Sequence, residues 1–389
     1  MRLFIVCLLL FLCFSCQPSK QTSSTLPQDI VYIHSKDLKE LSFIDPLQLI
    51  DSCSYIPLDN SILIGQVKNL QITDQYIFLV NNTNDSLYVF NLKGKFLNTI
   101  GTLGRGPQEY ITLKSYCVSP DNDTVIIYDH YKLSFYTRDN HFIRSIDLAK
   151  HIPVKQYISP VNSIYYAAPG KILFKHNMIS GSKTFYSIYD YNLNQLEDIA
   201  QFPYVLSFSD PNSFIDLDFF RVTTWQNTLS CPIFYNDTIF TYSDAKLTPR
   251  FIIPAMKDKM ISDRLIRQQD GKTQQEAMKV LFESGLYILH IYESEHYFFI
   301  IYNGKKACEL IWNKEQHKGL LIQSCKTFWN VTYAPLAVSA YAILNDQPFF
   351  DSQGNRFFPI PESTQKIKAQ ITEDDNPVIV LYHLKPEGF

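Results

Sequence analysis

Glycine is scarce in this chain, with 13 among 389 residues, yet three of them fall within the eleven-residue stretch IGTLGRGPQEY, residues 100–110. What is missing around those glycines excludes the common phosphate cradles. A P-loop needs GxxxxGK[ST], and neither Lys-Ser nor Lys-Thr follows the last glycine. A dinucleotide fingerprint needs GxGxxG opening a helix, whereas Gly104-Arg105-Gly106 runs into Pro107, Gln108 and Glu109. There is no HExxH and no GxSxG, so neither a zincin site nor a nucleophile elbow is encoded in those forms. No block of basic residues stands out and the net charge is −3, which argues against a nucleic-acid partner. Beyond residue 14 no apolar run reaches the roughly 18 residues that a spanning helix needs. What is abundant is aromatic: 25 Tyr and 28 Phe, a bias that favours strands.

The first residues, MRLFIVCLLLFLCFSCQPSK, place Arg2 before an apolar run over 3–14, the layout of a secretory signal. The run ends in LCFSC, which resembles a bacterial lipobox with Ser15 as the small residue and Cys16 as the lipidated one. Cys13 and Phe14 are looser than the commonest pattern. Polar QPSKQTSSTLPQ follows, as a tether should. The expected organisation is a signal peptide over 1–15, a lipidated linker over 16–40 and one folded domain over 41–389. Two or more acyl chains would hold the protein stably on a membrane. Lys20 stands where an acidic export cluster would otherwise follow the cysteine, favouring the periplasm-facing side of the outer membrane. Of eight cysteines, Cys7 and Cys13 lie in the leader. The remaining Cys53, Cys117, Cys231, Cys308 and Cys325 are odd in number and lack ligand spacing, so they specify neither a disulfide framework nor a zinc site. Cys117 sits in an apolar strand pattern and reads as a buried thiol.

Two segments align with an offset of 46 residues: Ile72 with Val118, Phe90 with Tyr136, Leu97 with Ile143 and Ile100 with Ile146. Each unit reads as strand, turn, strand, turn, strand, with LKGK and TRDN supplying residues that tolerate positive φ. YSIYDYNLNQLEDIA repeats the later part of the unit, with Tyr189 against Phe90 and Leu196 against Leu97. LSCPIFYNDTIFTYS and LYILHIYESEHYFFIIYNGKKACELI repeat it more loosely, the latter with Asn303-Gly304 at a hairpin. Repeats of this length built from antiparallel strands indicate the blades of a β-propeller. Residues 41–389 would hold between seven and eight units of 46 residues, and removing inserts leaves six blades. The inserts are helical: one over 258–284, split near Asp270-Gly271, and one over 361–371, with Pro361 near its start.

The segment LYVFNLKGKFLNTIGTLGRGPQEYITLKSYCVSPDNDTVIIYD resembles the NHL-like six-bladed β-propellers. Together with the lipobox and the closing TEDDNPVIVLYHLK, it looks like a six-bladed propeller lipoprotein of the Bacteroidota. That resemblance implies fold and compartment and adds little chemistry.

Within such a fold the glycine-rich stretch is a connection between two blades, and Arg105 and Glu109 are the charges it could raise toward a ligand, unless they pair with each other or a neighbouring blade. Asp85-Ser86, Asp123-Thr124 and Asp237-Thr238, each followed by an apolar residue, open strands. They read as turn chemistry and also resemble the Bacteroidota O-glycosylation motif, which would make Ser86, Thr124 and Thr238 acceptors. The acid clusters ESEH (293–296) and TEDDN (372–376) read as solvated turns. No catalytic residue, metal ligand or cofactor is assigned. The expected function is binding a glycan, peptide or protein partner. The alternative is a metal-dependent hydrolase or lyase with its site at the channel mouth. If Cys16 carries the lipid, Cys16→Ser moves the protein from the membrane to the soluble fraction; unchanged fractionation would contradict that assignment.

Overall fold

The computed structural model describes residues 30–42, 44, 49–129, 132–151, 161–202, 205–217, 222–323, 336–345 and 365–387. Six small antiparallel sheets form a ring, the arrangement of a six-bladed β-propeller. The two aligned repeats are the first two blades, over 67–100 and 115–147; the next three cover 161–201, 223–252 and 286–323. The sixth joins Leu336–Val338 and Val378–Leu384 from the end of the chain to Ile50–Pro57 from its beginning.

The 46-residue offset holds strand for strand in the third and fourth strands: Ser86–Asn91 matches Lys132–Thr137, and Phe96–Ile100 matches Phe142–Asp147. Each of these units has four strands, one more than the sequence pattern indicates. The extra ones, Val67–Ile72 and Ser115–Val118, are innermost. VKNLQI is a mixed polar strand and its counterpart has only four residues, so neither carries a strong apolar period. The turns between third and fourth strands each hold a left-handed residue: Gly94 (φ 79°), Asn140 (φ 68°) and Asn194 (φ 54°). Gly94 is further constrained, because a Cβ there would lie 2.0 Å from the carbonyl oxygen of Pro57.

The core lies between the blades. Phe78, Val80, Val89 and Ile100 of the first pack with Val118, Val125 and Ile127 of the second. Leu310 and Trp312 of the fifth blade face the fourth, while the alternating Ile311 packs with Leu49 and Ile44 on the other side. Both faces of each central strand are therefore buried, and each fully buried Val, Leu or Ile side chain contributes roughly 1.5–3 kcal/mol. The central strands consequently read as continuous apolar runs, such as Tyr76–Asn81 and Thr124–Asp129.

Pairing begins at Val31, within the stretch read from sequence as linker. Val31–Tyr32 adds a parallel fifth strand to the fourth blade, and Leu38–Leu41 does the same for the fifth. The arm thereby covers two sheet edges that would otherwise expose unpaired backbone groups. Helices Asp263–Arg267 and Gln274–Ser284 occupy the expected insert, parted at Gly271 (φ 75°). Thr273 and Glu276 form a reciprocal cap at the start of the second, and Ile266, Ala277 and Leu281 bury against the third and fourth blades. Gln365–Lys368 is helical within the second expected insert, and Pro361 lies outside the described residues. Ala340–Leu344 is a further helix that the sequence reading lacks. Cys53, Cys117 and Cys231 are free thiols, and Cys325 lies outside the described residues, as do Cys16 and the rest of the leader. Burial pushes the Cys117 and Cys231 thiols far up, which keeps them inert.

One buried side chain ties the last blade to the first. The Asn376 amide nitrogen donates to the carbonyl oxygens of Asp59 (2.8 Å) and Ile62 (2.6 Å). Its Oδ1 accepts from the Ile64 backbone N–H at 2.9 Å, and its own N–H donates to Asn60 Oδ1 at 2.9 Å. Asn376→Ala strands these partners in a site that water reaches poorly. We expect a loss of about 3 kcal/mol of unfolding free energy, measured by urea denaturation; a change below about 0.5 kcal/mol would contradict the role given to this residue.

Candidate functional site

Alternating strand direction gives the ring two faces. The second-to-third-strand turns and the connections between blades emerge on one; the remaining turns emerge on the other. The stretch over 100–110 lies on the first face and is built from its own backbone. Gly104 N–H donates to Tyr110 O at 2.9 Å, Tyr110 N–H donates to Thr102 O at 3.0 Å, and Glu109 N–H donates to Gly106 O at 3.1 Å. Neighbouring turns clamp it: Tyr110 hydroxyl donates to Asp85 O (3.0 Å), Tyr136 hydroxyl to Gln108 O (2.8 Å) and Lys132 Nζ to Glu109 O. Burial pushes the Tyr110 hydroxyl well above its usual range, so it stays protonated as a donor.

Arg105 and Glu109 fare differently. Glu109 turns back into the loop, where its Oε2 accepts from Gly106 N–H at 2.7 Å. A Cβ at Gly104 would lie 2.0 Å from that same oxygen, so the Glu109 side chain folds into space that this glycine leaves open. Arg105 is exposed and is the charge the segment presents outward. Connections on the same face also expose apolar side chains: Leu63, Leu103, Ile111, Val205 and Phe214, with Leu63 and Ile111 at 83% and 65% exposure. No periodic pattern marks these residues, because they sit in irregular segments; only their position relative to blade boundaries identifies them.

Ser86, Thr124 and Thr238 are each half-buried at the start of a strand. The Ser86 and Thr238 backbone N–H groups are held by Asn84 Oδ1 and Asn236 Oδ1, and the Thr124 N–H by Ser119 Oγ. Asp85 and Asp237 lie on the first face and Asp123 on the other. Local turn bonding thus engages the backbone at each of these strand starts.

The acid clusters are not simply solvated. Glu293 is buried between the fourth and fifth blades, its two oxygens accepting from Arg250 Nη1 at 2.6 Å and Nη2 at 2.7 Å. Lys314 Nζ lies 3.2 Å from Oε1 and 5.5 Å from the Trp225 ring centroid. The partners lie 43 and 21 positions away, beyond the reach of any local pattern. In TEDDN, Asp375 caps Thr372 N–H and accepts from Asn60 Nδ2, while Asn376 is the buried tie described above. Among the described residues, no three His, Cys, Asp or Glu side chains converge as metal ligands.

Two buried titratable groups stand apart from these networks. Burial holds His176 neutral, with its pKa lowered to about 3 and its Nε2 2.6 Å from Ser187 Oγ. Glu309 is 2% exposed, with neither carboxyl oxygen bonded among the described residues, and burial raises its pKa from 4.5 to about 8. The native state therefore holds a proton that the unfolded chain releases near pH 4.5. The associated stability is complete below that value and falls as pH rises toward 8. Glu309→Gln removes this dependence, so the difference in urea midpoint, variant minus wild type, should grow between pH 5 and pH 8. A constant difference would contradict the buried, protonated state.

The whole body matches a known family model, for a domain of unknown function, DUF4934, over residues 31–383. No curated protein matches. Among solved structures, the chain is similar to a "Putative exported protein (BF0058)" of Bacteroides fragilis, at 15% identity and a TM-score of 0.65, covering 92% of this chain and 100% of that one. A member of the DUF4221 family from Bacteroides vulgatus matches at 12% identity and a TM-score of 0.48, covering 87% of this chain and 98% of that one. The likeness to the B. fragilis protein is one of fold. From the arm at residue 31 to the closing strand, the chain belongs to the DUF4934 family.

Proposed function

We propose that this protein is a lipid-anchored propeller of the bacterial envelope that holds a peptide or protein partner on the face carrying the connections between blades. The carrying observation is the set of apolar side chains exposed on the connections of that face, Leu63, Leu103, Ile111, Val205 and Phe214, together with the exposed Arg105 of one of them. Exposed apolar groups rimmed by polar ones mark interaction surfaces, and arginine is enriched at such surfaces. The loops that carry them rest on bonded turns, such as the clamp around Tyr110, so little ordering entropy is lost on binding.

The anchor reading rests on the sequence. If Cys16 is the mature N-terminus, fourteen residues separate it from Val31, where the arm begins. A tether of that length reaches at most about 50 Å, enough for the propeller to turn its face to a partner while remaining at the outer membrane. The half-buried Ser86, Thr124 and Thr238 hydroxyls remain candidates for glycosylation on the exported chain.

The test is capture of partners from envelope extracts by the tagged wild-type protein and by a Leu103→Glu/Ile111→Glu variant. Both residues are exposed, so the variant should keep the wild-type unfolding midpoint. We expect the wild type to enrich a defined partner and the variant to lose at least ten-fold of it. Equal recovery by both proteins would overturn this face as the docking surface.

A further inference from the structure

The internal repeat allows one blade junction to be compared with the next, position by position. Between the first and second blades, the outer strand is stitched to the following turn. Asn98 Nδ2 donates to Arg138 O at 2.8 Å, and Gly101 N–H donates to Asn140 Oδ1 at 2.6 Å. Forty-six residues on, Arg144 stands in the place of Asn98 and Asp147 in the place of Gly101, while Asn194 occupies the left-handed turn position of Asn140. The stitch is gone. A cleft of about 400 Å³ opens between the second and third blades, lined by Arg144, Lys150, His151, Tyr191, Asn192 and Asn194.

The groups in this cleft have a common character. The Arg144 guanidinium carbon lies 4.9 Å from the Phe135 ring centroid and 5.2 Å from that of Tyr191, so two aromatic rings restrain it. No acceptor for its N–H groups is found among the described residues. Asp147 is the one carboxylate present and is already engaged: one oxygen accepts from Ala149 N–H at 3.1 Å and the other lies 3.6 Å from Lys150 Nζ. Asn194 gives its Oδ1 to the Tyr189 hydroxyl at 3.0 Å, which leaves an NH₂ donor. The cleft therefore offers a forked cation, a lysine paired with Asp147, a histidine and amide donors, and among its described lining residues Asp147 is the one carboxylate.

We propose that this cleft binds an acidic saccharide, with Arg144 taking a carboxylate or sulfate group in its planar fork and the Asn192 and Asn194 amides meeting adjacent hydroxyls. Guanidinium matches such anions in a bidentate manner that an ammonium cannot reproduce. The volume is within the range of small-molecule sites and suits a short oligosaccharide segment better than a bare ion. The cleft lies off the apolar surface argued above, so the two proposals stand or fall separately: Leu103→Glu/Ile111→Glu leaves this cleft intact.

Titration calorimetry on the purified mature chain tests the proposal. Trigalacturonate and a sulfated chondroitin tetrasaccharide separate a carboxylate ligand from a sulfate one, with maltotriose, inorganic sulfate and hexaglutamate as comparisons. At least one acidic saccharide should bind more tightly than all three comparisons. Arg144→Gln should raise its Kd at least ten-fold, Arg144→Lys nearly as much, and Lys150→Ala by a smaller factor. Near-UV circular dichroism and the unfolding midpoint check that the variants remain folded. Failure of both acidic saccharides to bind, equal binding of maltotriose or hexaglutamate, sulfate binding as tightly as either saccharide, or an Arg144→Gln variant of unchanged affinity would each overturn it.

Discussion

A blade of four short strands has two apolar faces and no means of burying both by itself. Every blade therefore depends on a neighbour on each side, and a linear row would leave two faces open at its ends. The pairing of Ile50–Pro57 with Val378–Leu384 removes that defect by making the first part of the body and its last part strands of one sheet. Cys53 opposite Tyr382, and the Ser54 hydroxyl 2.7 Å from His383 Nε2, are contacts between residues more than 300 positions apart. Asn376 and the segment it grips over 59–64 extend that closure to the next junction.

The ring in turn creates the places where function can reside. Strand alternation sorts the connections onto two faces, and the arm that precedes Ile50 covers the edges of the fourth and fifth blades. The junctions differ in chemistry although the repeat makes them equivalent in position. One is stitched by Asn98 and Asn140, another is locked by Arg250 and Glu293 in the interior, and a third opens around Arg144. A buried ion pair of this kind contributes little net stability over an apolar pair, but losing one partner leaves an uncompensated charge.

Much of this was legible in the amino-acid order, for a local reason. Third and fourth strands and the turn between them are contiguous, so their apolar runs and left-handed turn residues repeat visibly, as Gly94, Asn140 and Asn194 do. The helices over 263–284 announce themselves through the helical spacing of Leu265 and Ile266 and of Met278, Leu281 and Phe282, with a break at Asp270-Gly271. The innermost strand of the first blade was hidden because VKNLQI has no clean period. The parallel arm was hidden because two short strands after a polar tether carry no repeat. Glu293 read as a surface acid because its bidentate partner, Arg250, comes from another blade. In the candidate site, the loop over 100–110 was recognisable as a connection. That Glu109 folds into it and Arg105 points away depends on the backbone path, which residue types alone do not specify.

Closure of the ring is the central claim, and native-state hydrogen exchange followed by mass spectrometry tests it most directly. If the two terminal strands complete one cooperative ring, the amides of 52–56 that bond to 379–383 exchange together with their partners, at rates approaching those of the central strands over 77–80 and 125–128. Fast exchange of every amide over 52–56 while the central strands stay protected would contradict the closed ring.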